Sequence, residues 1–404
     1  MNFDLKSHEA IQDPYVLFAK MRETAPVHWN PSVKAWVVTR HMDAKTVLTD
    51  TRFSVEKLNP LVDHLSGKSK SKVGEIARVL GDWMVFRDPP SHTRLRRVLQ
   101  GAFKPRELRK QRRMVERVAE ELLDTLEDRG QIDFLHDFAW PFPAFVIADL
   151  MGIDRVHVPK LKEWAVEIGK FVLIARSTPD KYDRAAKAIR EITVFYQEVV
   201  DDHRKNPRDD LIGLMIRGGD DGSDVMSDDE IVSTMVLMLF AGHETTTNLI
   251  ANGMLNLLRH PRQMTLIGQK SALIPLAVEE FLRYESSVQM VARIAADEIE
   301  LGGETIAKGD RVYALTAAAN RDPEYFENAE HFNITRSQNP HYAFGLGIHL
   351  CLGAPLARIE AQVAFAALFR RFSDFKLETD TVEWSDEFVT RALKALPISF
   401  HKRR

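Results

Sequence analysis

Cysteine is almost absent: Cys351 is the one thiol in 404 residues. A disulfide framework is thereby excluded, as is a thiol-rich zinc or iron–sulfur site, and any sulfur chemistry falls to Cys351 alone. A reducing, cytoplasmic setting is expected. Long apolar runs are missing too. The most apolar helical stretch, residues 235–242, is far short of the roughly 20 residues that a bilayer crossing needs, and polar residues follow it directly. The N-terminus carries Asp4, Lys6 and Glu9 with no apolar segment ahead of a small-residue cleavage site, so it does not read as a secretory signal. No membrane anchor is expected. Charge of one sign is not in excess either: 55 basic and 58 acidic side chains leave −3, which gives no global field favouring nucleic acid or an anionic surface. The expected partner is a small molecule.

What is present is mostly helical periodicity. Apolar positions recur at helical spacing through residues 15–23, 41–49, 114–126, 158–172, 182–200, 231–258 and 274–284, bounded by Gly, Pro, Asp or Asn. Strand signals are few. A β-prone run, residues 35–39, comes early, and a second zone, residues 291–317, contains a Gly302-Gly303 turn between alternating segments, which reads as a hairpin. Residues 59–71 turn to Ser, Gly, Lys and Pro and read as a surface segment, a lid more than a linker. With no repeat and no low-complexity linker, the expectation is a mainly α fold with a small β-rich region, one large domain over residues 1–404.

Cys351 lies in the run Phe344-Gly-Leu-Gly-Ile-His-Leu-Cys-Leu-Gly353, just before a helix expected over residues 352–372. Glycines without Cβ permit tight turns and close approach of backbone to a flat ligand, and a helix N-terminus favours the thiolate form of a nearby sulfur. A lone cysteine is more often an inert buried side chain. On this loop, with His349 able to meet an acidic group, it is suited to ligating haem iron.

That run closely resembles the haem-binding loop of the cytochrome P450 family, the haem-thiolate monooxygenases. The resemblance extends from Pro14-Tyr15 to the C-terminus. It implies that Cys351 is the proximal iron ligand of haem b, iron protoporphyrin IX, that Phe344, Gly345 and Gly353 pack about it, and that His349 reaches a propionate.

A long helix is expected from a Ser227/Glu230 capping box to about His260, just before Pro261. Its apolar first half should be buried, yet Ala241-Gly-His-Glu-Thr-Thr-Thr247 interrupts it. A buried carboxyl, hydroxyls and a helix-weakening Gly242 together break local rules, as happens at functional sites. Threonines bonding back to the helix and a solvated Glu244 would be the bland account. The stretch resembles the family's Ala-Gly-x-(Asp/Glu)-Thr signature on the distal side of haem, which implies that Glu244 and Thr245 are the catalytic pair that delivers protons to bound O₂.

Other matches carry structural and cofactor roles by resemblance. Glu280 and Arg283, three apart on one helix, match Glu-x-x-Arg, and Arg336 in Phe332-Asn-Ile-Thr-Arg336 supplies the third member of a structural clamp on the cysteine loop. His92 and Arg96, four apart after Pro89-Pro90, and Arg293 match propionate contacts. Family-like pocket positions are Leu237, Phe240, Ala241, residues 288–291 including Val291, and Phe388 with Val389, together with variable segments 55–85 and 168–178. These are mostly apolar, so a hydrophobic substrate is expected.

Residues 94–113 hold nine Lys or Arg and one acid, Glu107. A solvated basic face is one reading. The other is a proximal docking face for an acidic ferredoxin-type electron donor. Only 53 residues follow Cys351, so no fused reductase is expected, and NAD(P)H would act indirectly through separate proteins. A monomer is expected. The resemblance implies insertion of one oxygen atom from O₂ into an apolar substrate. An H₂O₂-driven peroxygenase and a non-catalytic haem-binding protein are the alternatives, distinguished by turnover.

Overall fold

The computed structural model describes residues 3–56, 67–172, 180–219, 222 and 224–403, with side chains of 67–72 left aside. The chain gathers into two compact units, each built from separated stretches: Met1–Phe53, Val115–Pro143 and Glu244–Arg404 in the first, Ser54–Met114 and Ala144–His243 in the second.

The first unit holds nearly all of the strands. Its main sheet pairs Val27–Asn30 with Ala35–Val38 antiparallel, and Ala35–Val38 runs parallel to Arg311–Ala314, which pairs antiparallel with Val291–Ala295. Alternation along these short strands sends Val37, Tyr313 and Leu315 into one apolar cluster and Val38, Val312 and Ala314 into another. The expected hairpin is present: Ile299–Leu301 pairs with Glu304–Ile306 across Gly302 and Gly303, whose φ values of +61° and +84° suit glycine. The zone read as strand through residue 317 ends earlier, because Thr316–Ala319 is a buried helical turn rich in alanine. A second sheet places Pro397–Lys402 between Gln131–Asp133 and Phe372–Leu377.

Helices of this unit pack on an aromatic cluster. Phe281, on Ile274–Tyr284, lies 4.9 Å from Phe365 on Ala354–Arg371 and 6.0 Å from Phe332. Gly253 packs against its ring, where a Cβ would stand 2.7 Å from Cδ2.

The second unit is helical. Lys181–Lys205 packs along Val158–Val172, with Trp164 Nε1 donating to Glu191 Oε2 at 2.8 Å. Part of the expected lid is helix: residues 59–66 lie outside those described, but Gly67–Gly81 is continuous. Its fully buried Val73, Ile76 and Leu80 recur at helical spacing, and propagation from that apolar stripe carries the Ser- and Lys-rich start with it. The helix expected to begin at Met114 begins at Pro105, with charged residues on its exposed side. Among the described residues no helix is long and apolar enough to cross a membrane.

Phe281 is 1 % exposed, so Phe281→Ala should cost about 3–5 kcal/mol of unfolding free energy, read as a lower urea midpoint with an unchanged slope.

Candidate active site

The cysteine loop is bent by glycines in left-handed conformations, Gly345 at φ +70° and Gly347 at +72°, and a Cβ on Gly347 would meet Leu48 O at 3.0 Å. Two backbone bonds close it: Cys351 N donates to Phe344 O at 2.9 Å, and Leu350 N to Gly347 O at 3.1 Å. Gly347–His349 forms a short 3₁₀ turn. Helix Ala354–Arg371 starts three residues past Cys351, later than expected, because Leu352 and Gly353 make the turn into it with Gly353 as N-cap and Pro355 in its first turn. Cys351 is exposed, not an inert core thiol.

Behind the loop, Arg358 stands over the Phe344 ring, 4.6 Å from its centroid, and donates to both oxygens of Glu279 at 2.7 and 2.9 Å. His341 Nε2 joins Glu279 at 3.2 Å. Burial pushes the Glu279 carboxyl up, but Arg358 and His341 outweigh it and hold it down at about 2.

The expected clamp is assembled. Arg283 donates from Nε and Nη2 to the two oxygens of Glu280, both at 2.8 Å, and neither side chain is exposed. Arg336 Nε reaches Glu280 Oε2 at 3.3 Å; Asn339 and the backbone N–H of Asn333 also donate to this carboxylate. Arg283 spends its other donors on the carbonyls of Asn320, Ala329 and His331. Asn320 then accepts from Tyr342 N at 2.7 Å through its side-chain oxygen, which ties the clamp to the chain entering the cysteine loop.

On helix Asp228–Arg259 the capping box forms as expected, with Ser227 Oγ accepting from Glu230 N and Glu230 accepting from Ser227 N. Leu237 is buried, Phe240 is half-buried and stacks on Trp83 at 5.5 Å, and Ala241 is exposed. A Cβ on Gly242 would lie 2.6 Å from Ile147 Cδ1, so the Ile147 side chain would have to shift to admit it. Thr246 and Thr247 are buried and Thr245 half-buried. Glu244 still shows some surface, but its carboxyl is enclosed: burial first, then the charge and hydrogen bond of Glu387, push it up to about 8. The solvated-glutamate account therefore fails.

Glu387 escaped the sequence reading. It precedes Phe388, and Thr390 Oγ1 donates to it. Phe388 itself packs in the core edge-on to Tyr313 at 5.9 Å, with Val389 beside that cluster, while Val291 packs on the other cluster. Arg293 is 5 % exposed on strand Val291–Ala295, opposite Val312. In the second unit His92 is buried and Arg96 half-buried on helix Ser91–Gln100. The basic stretch is partly paired: Arg94 meets Glu230 and Arg97 meets Asp224, acids distant in sequence that fold against it, and Lys110 meets Glu107 within the stretch. Arg106, Arg109 and Arg113 are exposed.

These donors fit a thiolate-ligated haem. Among the described residues no group of three or more His, Cys, Asp or Glu could hold a metal ion. The loop offers an exposed sulfur, and a Cβ on Gly353 would lie in ordinary contact with it at 3.9 Å.

The chain belongs to the cytochrome P450 family, whose model, Cytochrome P450, matches residues 5–400. It is a haem-thiolate monooxygenase. It is 36% identical over 98% of both chains to the biotin biosynthesis cytochrome P450 of Bacillus subtilis (strain 168), and 36% identical over 98% of both to the 6-deoxyerythronolide B hydroxylase of Saccharopolyspora erythraea. A solved relative, P450BioI in complex with hexadec-9Z-enoic acid ligated acyl carrier protein, superposes with a TM-score of 0.90 at 34% identity over 97% of this chain and 100% of that one.

Arg283→Ala would leave Glu280 buried with too few donors, which should cost about 3–5 kcal/mol. The expected outcome is protein that purifies with little haem, read as the haem-to-protein absorbance ratio, while Arg283→Lys retains part of it.

Proposed function

We propose that residues 1–404 act as one haem domain that inserts an oxygen atom from O₂ into an apolar substrate, with Glu244 and Thr245 managing the protons. The observation that carries this is the enclosed Glu244 carboxyl, one residue before Thr245 on the central helix. Cys351 would hold the iron, Phe344, Gly345 and Gly353 would shape the loop around its sulfur, and His92, Arg96, Arg293 and His349 would bind the propionates. When bound, the haem supplies the redox chemistry that activates O₂ and places one of its atoms on carbon, the other leaving as water.

The side chains have separate tasks. Glu244 keeps its proton at neutral pH and can release it toward Thr245 Oγ1, whose hydroxyl donates onward and accepts in turn. A glutamate near pH 8 loses that ability only in alkali. Leu237, Phe240 and Ala241 on the central helix would offer an apolar surface to the substrate, as would Val291, Phe388 and Val389 in the first unit. The names of the relatives make acyl chains and polyketide lactones the first compounds to screen, by substrate-induced shift of the haem band.

Electrons would come from NAD(P)H through a ferredoxin reductase and a ferredoxin docking near Arg106, Arg109 and Arg113. Such docking weakens with salt. Arg113→Glu should lower the ferredoxin reduction rate several-fold and flatten its salt dependence; identical salt curves would remove this face from the proposal.

Two measurements test the reaction. Reduced protein under CO must show the thiolate-type shift of the haem band, absent in Cys351→Ala. Turnover with ferredoxin, reductase and NADPH should fall above about pH 8, as Glu244 loses its proton, and Glu244→Gln should abolish that alkaline limb while lowering kcat by about 10²–10⁴-fold. Turnover with H₂O₂ alone would establish the peroxygenase instead. Stability should follow the same sign: the folded state binds this proton more tightly than the unfolded chain, so its contribution is complete below about pH 4.3 and is lost as pH rises through about 8.

A further inference from the structure

His41 is the middle of a column of three rings. Tyr342 stacks on it with centroids 4.2 Å apart and planes 24° from parallel, and Tyr325 stacks on it at 3.5 Å and 16°. His41 and Tyr342 are buried, whereas Tyr325 is 46% exposed. The column therefore leads from the core to solvent. Its buried tyrosine is joined to the cysteine loop: Tyr342 is two residues before Phe344, whose carbonyl accepts from Cys351 N at 2.9 Å.

The hydrogen bonds assign the protons. His41 Nε2 meets the Pro340 carbonyl at 3.2 Å, and a carbonyl only accepts, so Nε2 carries the proton. Burial pushes this imidazole down, which favours its neutral form and leaves Nδ1 as an acceptor. Tyr342 Oη donates to Nδ1 at 3.1 Å. Burial also pushes the Tyr342 hydroxyl up, so at rest the phenol keeps its proton. Both partners are held by their backbones, since His41 N donates to Asp322 Oδ2 at 2.8 Å and Tyr342 N to Asn320 Oδ1 at 2.7 Å. A phenol donating to a fixed, neutral imidazole is suited to losing an electron, because the ring becomes strongly acidic as the electron leaves and the base is already in place. Tyr15 and Tyr284 differ: the Arg321 guanidinium lies 3.4 and 3.8 Å from their centroids, and a cation there opposes electron loss.

We propose that Tyr342 is a redox-active tyrosine that discharges haem oxidised by peroxide when no substrate is present. The bond that breaks is the Tyr342 O–H: the electron goes to the oxidised haem, the proton goes to His41 Nδ1, and a neutral phenoxyl radical is left. A soluble one-electron reductant such as ascorbate then meets the exposed Tyr325, its electron crosses the stacked rings to Tyr342, and His41 returns the proton. Each cycle moves one electron from the reductant to the haem and leaves the three residues as they began. This protective function rests on haem held by Cys351 and is independent of the roles proposed for Glu244 and Thr245.

The test uses substrate-free, haem-loaded enzyme mixed with peracetic acid and rapidly frozen. Electron paramagnetic resonance should show a tyrosyl radical in the parent that is lost in Tyr342→Phe, which keeps the ring and removes only the hydroxyl. His41→Phe, which keeps a ring between the tyrosines but removes the base, should lower the radical yield several-fold. Tyr325→Leu should leave the yield intact while ascorbate quenches the radical several-fold more slowly. Under H₂O₂ without substrate, haem in Tyr342→Phe should bleach several-fold faster than in the parent. An unchanged radical in Tyr342→Phe, or none in the parent, overturns the proposal. An unchanged yield in His41→Phe overturns His41 as the proton acceptor, and unchanged quenching in Tyr325→Leu overturns the outlet. The thiolate-type CO-bound spectrum is recorded first, and its absence from the parent overturns haem ligation by Cys351 and this proposal with it.

Discussion

A carboxylate without contact with water, Glu280, organises the chain around the cysteine loop. Removing such a charge from water is costly, and attraction to Arg283 alone would not offset it. Here the carboxylate collects donors from Arg283, Arg336, Asn339 and the Asn333 backbone. Apart from Arg283, on the same helix, those partners come from a segment that lacks regular structure, so the charge specifies a route for the chain more than it adds stability. Asn320, bonded at its carbonyl by Arg283, passes that order on through its side chain to Tyr342. A loop with two left-handed glycines would otherwise have many routes open to it.

A second acid, Glu279, is next to Glu280 on the same helix and does related work on the other side. It fixes Arg358, which covers the Phe344 ring, so adjacent carboxylates secure both the approach to Cys351 and the helix leaving it. The two acids differ from Glu244 in one respect. Glu279 has cations within reach and is held at about 2, whereas Glu244 has an acid within reach and is raised to about 8. One residue type thus supplies a permanent anchor or a transferable proton according to the neighbour it is given.

Much of this was legible in sequence where local rules suffice. The helices at His41–Thr49, Val158–Val172 and Ile274–Tyr284 have the bounds that periodicity and punctuation imply, and the Ser227/Glu230 box formed as written. Strands Val27–Asn30, Phe372–Leu377 and Pro397–Lys402 were not legible, because each is short and its partner in the sheet sets it. The site divides in the same way. Cys351, Glu244 and the Glu280 clamp lie in dense local motifs; Glu387 does not, and only the fold brings it to Glu244. The basic stretch was legible as charge but not as pairing, since composition counts charges without seeing that Asp224 and Glu230 fold onto Arg97 and Arg94.

The second sheet has a consequence for how the molecule is made. Its middle strand is Pro397–Lys402, flanked by Gln131–Asp133 and Phe372–Leu377. During synthesis the strand at Gln131–Asp133 emerges early and must wait, with its backbone groups unpaired, until almost all of the remaining chain has been translated. Helices formed meanwhile can assemble from local contacts, but this closure is long-range and slow. The cysteine loop precedes that strand in the chain, so it leaves the ribosome while the second sheet is still incomplete.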